Sequence, residues 1–231
     1  MKKIFLKTLK FFKYFIIIYF ASTFFVIILY KYVNPPVTPL MIIRLAEQGF
    51  NGQTLRLKNH WVSISDMSPN LPLAVVASED NLFMDHSGFD FESIEKAREF
   101  NKQKHGKKVR GASTISQQTA KNVFLWPQRS WLRKGLEAYF TVLIEFVWGK
   151  KRILEVYLNV IETGKGVYGV EDASQLNFEK PASKINRGEA ALIAAVLPNP
   201  LRWSPSSPTP YIIGRQQWIL WNMNNIGKLS Y

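Results

Sequence analysis

The residues best equipped for chemistry fall into three short segments. Glu79 and Asp80 follow the apolar run 71–77 and precede Phe83, His86 and Gly88. A glutamate held against apolar walls keeps an elevated pKa and can transfer a proton. The plainer reading of such a pair is a helix-end cap or a surface charge. The second segment, residues 111–122, reads GASTISQQTAKN. Thr114 and Gln117 have the spacing of a capping box, so a helix is expected to start here. Its free amides and positive dipole end favour an anion. Ser113, Gln117, Gln118 and Lys121 would form a polar wall with one cation, Gln117 and Lys121 sharing a face. A capped amphipathic helix with exposed polar groups is the plainer reading. In the third segment Arg129, Arg133 and Glu137 are spaced by four, which predicts two guanidiniums and a carboxylate along one helical face. Arginine offers bidentate recognition of phosphate oxygens, although Arg133 and Glu137 also suit an ordinary ion pair. A fourth segment, residues 150–159 (KKRILEVYLN), looks like scaffold.

Helices are expected to position these groups. Residues 71–77 place Pro72 in a first turn, where a missing amide donor costs nothing. Residues 131–148 are apolar throughout with few charges, and residues 152–160 carry the stripe of an amphipathic helix. Residues 190–197 are apolar all round and stop at Pro198-Asn199-Pro200, and residues 211–223 suit a last helix. Residues 55–64 alternate loosely and suggest a short extended segment. With 47% hydrophobic residues the chain can bury a real core, and without cysteine it has no disulfide scaffold or thiolate nucleophile. His60, His86 and His105 lack the spacing of a metal site.

Residues 14–30 are uncharged and apolar. As a helix they span about 25 Å, slightly short of a hydrocarbon core of about 30 Å. Phe11, Phe12 and Val33 extend the run, and Lys13 and Lys31 can snorkel to the headgroups. Five lysines precede it, and the first acidic residue is Glu47. A cleaved signal peptide would end at a small-residue site, whereas Ala21-Ser22-Thr23 lies inside the run. The division expected is a cytoplasmic tail over 1–13, a transmembrane helix over 14–33, a proline-stiffened linker over 34–54 and one mostly helical outer domain over 55–231. The lysine bias leaves the N-terminus in the cytoplasm. The formal charge of +13 is still +7 without the six flanking lysines. A basic domain beside a membrane suits anionic headgroups or a phosphate-bearing substrate, and an outward-facing anchor argues against nucleic acid. Within residues 96–110 seven basic residues face Glu99 alone. They form a solvated loop or a basic flap that steers an anionic substrate.

In order, these segments resemble the motifs of the family 51 glycosyltransferases, the peptidoglycan glycan-chain polymerases: ED-x2-F-x2-H-x-G, G-x-STISQQ, RK-x2-E and K-x2-ILE-x-YLN. A fifth apolar motif ending in LP-x-P corresponds to residues 187–200. The similarity runs over residues 71–223, and residues 117–137 and the tail after Pro200 look like the monofunctional biosynthetic peptidoglycan transglycosylases. The resemblance implies a lysozyme-like helical fold with a small membrane-proximal jaw lobe, in the bacterial inner membrane with its catalytic domain periplasmic. It implies that Glu79 is the general base for the 4-hydroxyl of lipid II, whose attack on the growing chain expels undecaprenyl pyrophosphate with inversion and forms a β-1,4 bond. Lys121, Arg129 and Arg133 would neutralise that leaving group, with Glu137 orienting them. Ser113, Gln117 and Gln118 would line the cleft, and Lys96 aligns with a basic donor-site position. No room remains for a transpeptidase domain. A divalent cation, magnesium or manganese, assists some members, and other cell-wall synthesis or division proteins are possible partners. The chain departs from the family where Asn177-Phe-Glu-Lys180 replaces Tyr-Phe-Gly-Lys, and at Thr163-Gly-Lys165.

Two other readings compete. A lysozyme-like lytic enzyme would share the fold but need a protonated carboxyl to assist a poor leaving group. A non-catalytic anchor for cell-wall proteins would not need Glu79.

Overall fold

The computed structural model describes residues 2–103 and 111–231. Among them the chain forms ten α-helices and one two-stranded hairpin. The first helix, α1 (Lys2–Tyr32), contains a stretch, Lys7–Tyr32, long and apolar enough to cross a membrane. It does not stand apart from the rest. Helix α6 (Trp131–Val147) meets it midway, where Tyr139 exchanges a 2.8 Å hydrogen bond with Thr23 and packs edge-on against Phe20. Further along, the Trp148 indole nitrogen donates to the Ile27 carbonyl at 2.7 Å. At the outer end the Arg152 guanidinium donates to the carbonyls of Tyr30 and Val33. Carbonyls in a last turn have no partner within their own helix, so Arg152, from α7 (Lys150–Val160), supplies one. Helix α6 leaves Trp131, Leu132, Val142 and Phe146 exposed.

The segment expected as a linker is not one throughout. Pro35 and Pro36 do end α1, but residues 39–50 form a second helix, α2 (Pro39–Phe50). Pro39 occupies a first-turn position, where a missing amide is harmless, and the Thr38 hydroxyl accepts from the Met41 amide. Leu40, Met41 and Gln48 are buried, so α2 is part of the domain.

The core is built by two groups of helices. Helix α3 (Asn70–Glu79) packs against α9 (Arg187–Val196) and α10 (Pro210–Ile226). Four alanines on α9, at 190, 191, 194 and 195, are all buried and let the backbones approach closely. Helix α5 (Ile115–Phe124) lies between α6 and α7. The expected extended segment pairs only at Lys58, whose backbone bonds to Gly166 and Tyr168 in the hairpin of β1 (Glu162–Gly164) and β2 (Val167–Tyr168). Beyond it the buried Asn159 amide bonds both backbone groups of Val62 and straps this segment to α7. Of the basic stretch 96–110, the first part belongs to α4 (Phe91–Gln103), and residues 104–110 lie outside the described residues.

Helix α8 (Val170–Phe178) explains one departure from the family motif. Its C-cap is Glu179, with φ 56° and ψ 33°, the single non-glycine residue of positive φ among the described residues. Left-handed backbone at a helix end favours glycine, because a Cβ crowds the carbonyl there. Relieving that strain is partly offset by glycine's greater freedom in the unfolded chain. Glu179→Gly is therefore expected to stabilise the fold by about 0.5–1 kcal/mol. In a thermal melt that is a rise of roughly 1–4 °C, and a lower Tm would show that the Glu179 side chain contributes more than its backbone costs.

Candidate active site

Helix α3 ends on the two carboxylates, and each has a separate place. Asp80 turns inward and is buried. It accepts the Ile115 amide at 2.9 Å and the His86 Nε2 at 2.9 Å. His86 Nδ1 accepts from the Gly88 amide, which fixes the proton on Nε2. Gly88 has φ +90°, and a Cβ there would stand 2.8 Å from the Thr141 side chain. Its carbonyl receives the Thr114 hydroxyl at 2.7 Å. Phe83 lies fully buried under this turn, beneath the Lys150 ammonium. The spacing of Asp80, Phe83, His86 and Gly88 is therefore that of one folded turn holding the N-terminus of α5.

Helix α5 starts with the expected capping box. Thr114 accepts the Gln117 amide, and the Gln117 side chain accepts the Thr114 amide. This corrects the placement of Gln117, which caps the helix from a buried position and does not line a cleft. Gln118, one residue on, does reach the proposed base. Its amide nitrogen donates to Glu79 Oε2 at 3.1 Å, and its oxygen accepts the Tyr157 hydroxyl at 3.1 Å. The Tyr157 donor fixes which end of the Gln118 amide faces Glu79. Ser78 lies 3.2 Å from the other Glu79 oxygen and itself receives Arg215 Nη2 at 3.2 Å. Ser113 is exposed, and its carbonyl stands 3.5 Å from the Gln118 amide nitrogen.

Burial pushes the Glu79 carboxyl above its ordinary pKa, and Asp80 adds to the rise. The Gln118 and Ser78 bonds and the Arg215 charge pull it partly back. A carboxylate so held stays available as a base yet binds its proton more tightly than one in water. The Tyr157 hydroxyl, buried beside two carboxyls, is pushed well above its ordinary value and stays a donor.

The cations gather one turn along α5. Lys121 is pulled below its ordinary pKa, first by burial and then by Arg133, Lys134 and Arg129, while Glu137 opposes the shift. Glu137 is buried on α6 and bonds Arg133 at 2.7 Å and Lys134 at 2.5 Å. Arg129 does not share their helical face. It precedes the Ser130 cap of α6 and lies exposed in the loop, because the cap residue must leave helical geometry. Lys96 pairs with Glu92 on the exposed surface of α4, and no described bond ties it to the Glu79 cluster. Tyr157, Arg215 and Lys134 were not singled out in the sequence. Only Lys134, next to Arg133 and three residues before Glu137, left a local signal.

Comparison with known proteins shows the family. The family model described as Transglycosylase matches residues 48–224. The chain is 52% identical over 222 residues to a biosynthetic peptidoglycan transglycosylase of Bacteroides thetaiotaomicron, covering 96% of this chain and 89% of that one. It is 59% identical over 171 residues to the protein of the same name from Escherichia coli, covering 74% and 70%. A Caulobacter vibrioides protein of that name is 52% identical over 193 residues, covering 84% and 81%.

The titration of Glu79 gives a direct test of its surroundings. Its folded pKa lies above its ordinary value of 4.5, so folding takes up a proton between those two values. The associated stability is complete below the ordinary value and is lost as pH rises through the raised one. Glu79→Gln has nearly the same shape and no charge to bury. It is expected to melt with the parent near pH 4 and above it near pH 8. A gap that does not change with pH would show that Glu79 is solvated like a surface carboxylate.

Proposed function

We propose that this chain, which belongs to the transglycosylase family, polymerises peptidoglycan glycan strands by moving the growing chain from undecaprenyl pyrophosphate to the 4-hydroxyl of lipid II. Its fold is the lysozyme-like transglycosylase type, and the enzyme is a glycosyltransferase of peptidoglycan synthesis. The observation that carries the finer reading is a half-buried Glu79 held by Gln118 of α5, with a group of cations around Lys121 one turn farther along that helix.

In this reading Glu79 takes the proton of the acceptor hydroxyl while that oxygen attacks the anomeric carbon of the growing chain. The glycosyl–phosphate bond breaks on the opposite side, and the configuration inverts. Pyrophosphate leaves readily, so the site needs positive charge where the negative charge grows more than it needs a strong acid. Lys121, Arg129 and Arg133 supply that charge, Lys134 joins them, and Glu137 fixes the orientation of Arg133 and Lys134. Gln118 keeps the base pointed at the acceptor. The described residues contain no group of three or more His, Asp or Glu able to hold a metal. A magnesium or manganese ion would therefore come as the counter-ion of the pyrophosphate. Helix α1 holds the enzyme in the bacterial inner membrane, with its N-terminus cytoplasmic and its site on the periplasmic side beside its lipid-linked substrates.

Two substitutions separate the parts. Glu79→Gln is expected to lower lipid II polymerisation by about 10²–10⁴-fold while lipid II binding survives. Equal activity of mutant and parent, or release of fragments from purified sacculi without polymerisation, would overturn the assignment. Lys121→Ala is expected to weaken binding of the pyrophosphate-bearing substrate by about tenfold, on the order of 1.4 kcal/mol, with little change in Tm. Normal affinity with lost thermal stability would make Lys121 a structural residue.

A further inference from the structure

Helix α2 brings an arginine to the site. Arg44 and Leu40 from α2, Lys121 and Asn122 from α5, Trp126 from the loop after it and Glu162 from β1 enclose a cavity of about 160 Å³. That is far more than the roughly 15 Å³ one water requires. The walls carry an excess of donors. Among the described residues Lys121 Nζ makes no hydrogen bond or ion pair, and the buried side-chain nitrogen of Asn122 has no partner. A buried donor without a partner, as the Asn122 nitrogen is, calls for an acceptor. The one carboxylate in the wall, Glu162, is already engaged by Arg44.

That engagement is loose. Arg44 Nη1 holds Glu47, on its own helix, at 2.8 Å, whereas its Nε and Nη2 stand 3.1 and 3.4 Å from Glu162. Charge-assisted pairs settle nearer 2.7–2.9 Å. Glu162 is confined by its surroundings, with burial raising its pKa and the Arg44 charge pulling it back. The Arg44 fork is thus anchored at one nitrogen and weakly held at the other two. Arg44, Glu162 and Lys121 line the same space.

We propose that Arg44 is a further diphosphate-binding cation of this cavity, held by Glu162 while the cavity is free and turned to the phosphate oxygens when a diphosphate enters. This rests on the reading above that the donor carries a diphosphate. The two halves of the Arg44–Glu162 pair then act in opposite directions: Arg44 attracts the anion, and Glu162 competes for the same guanidinium and repels the anion. In a purely structural ion pair the two halves would act alike.

Titration of inorganic pyrophosphate into the full-length, detergent-solubilised protein tests this, read as an affinity and as a rise in Tm. Arg44→Ala is expected to weaken pyrophosphate binding about 5–10-fold, with part recovered in Arg44→Lys. Glu162→Gln is expected to tighten it about 2–3-fold, although both single changes break the same ion pair. Arg44→Ala binding like the parent while Lys121→Ala loses affinity would overturn the role of Arg44 alone and leave the proposed function standing. Arg44→Ala and Glu162→Gln weakening binding together, in step with lowered Tm, would make the pair structural. Absence of pyrophosphate binding in the parent together with absence of lipid II polymerisation would overturn both readings.

Discussion

Asp80 gives up solvent entirely and spends its charge on two donors, the Ile115 amide and His86 Nε2. A buried carboxylate is tolerated only when its oxygens are matched in this way. Here the match joins the end of one helix to the beginning of another. The first amides of α5 have no partners within their helix, and a negative charge at that end is favoured by the helix dipole. Once α5 is pinned there, Gln118 has to fall beside Glu79, and Lys121 lies one turn farther along. The neighbouring glutamate is left free to do something else. Two adjacent carboxylates on one helix end thus divide the labour, one fastening the framework and the other, in the proposed mechanism, serving as the base.

Burial then acts on both sides of the chemistry. It raises the Glu79 pKa and lowers that of Lys121, moving each toward its neutral form. A base and a cation in water would sit far apart on the pH scale, and the shared enclosure draws them nearer. The enclosure has its own supports. Tyr157 orients Gln118 from α7, Arg215 reaches Ser78 from α10, and Glu137 gathers Arg133 and Lys134 on α6. Three helices each supply one of these supports, so the enclosure is held together without being continuous in the chain.

What could be read from the sequence follows this division. The capping box of Thr114 and Gln117, the span of α6 and the buried alanine face of α9 are local patterns, and the fold reproduces them. An apolar helix ending on Glu79 and Asp80 is likewise visible in order along the chain, and α3 ends there. Local reading failed where a residue had two possible uses. Gln117 could cap or line a cleft, and the cap took it. Arg129 has helical spacing to Arg133, but Ser130 between them is the better cap, so the helix begins after it. Pro39 reads as a linker residue until Thr38 before it and the buried Leu40 and Met41 after it show a helix start. Tyr157 and Arg215 left no local signal, since their partners lie 39 and 137 residues away.

The contacts that fasten α1 to the domain also carry a constraint of angle. Thr23, Ile27 and Tyr30 follow one another at steps of four and three residues and meet Tyr139, Trp148 and Arg152 in turn. Each residue of an α-helix turns the next by about 100°. Adding or removing a single residue between Thr23 and Ile27 would keep the hydrophobic length almost unchanged, yet it would turn Thr23 by about 100° away from Tyr139 while Ile27 and Tyr30 kept their partners. Helix α1 therefore has a correct rotational setting as well as a correct length. A generic apolar helix of equal hydropathy is not its equivalent.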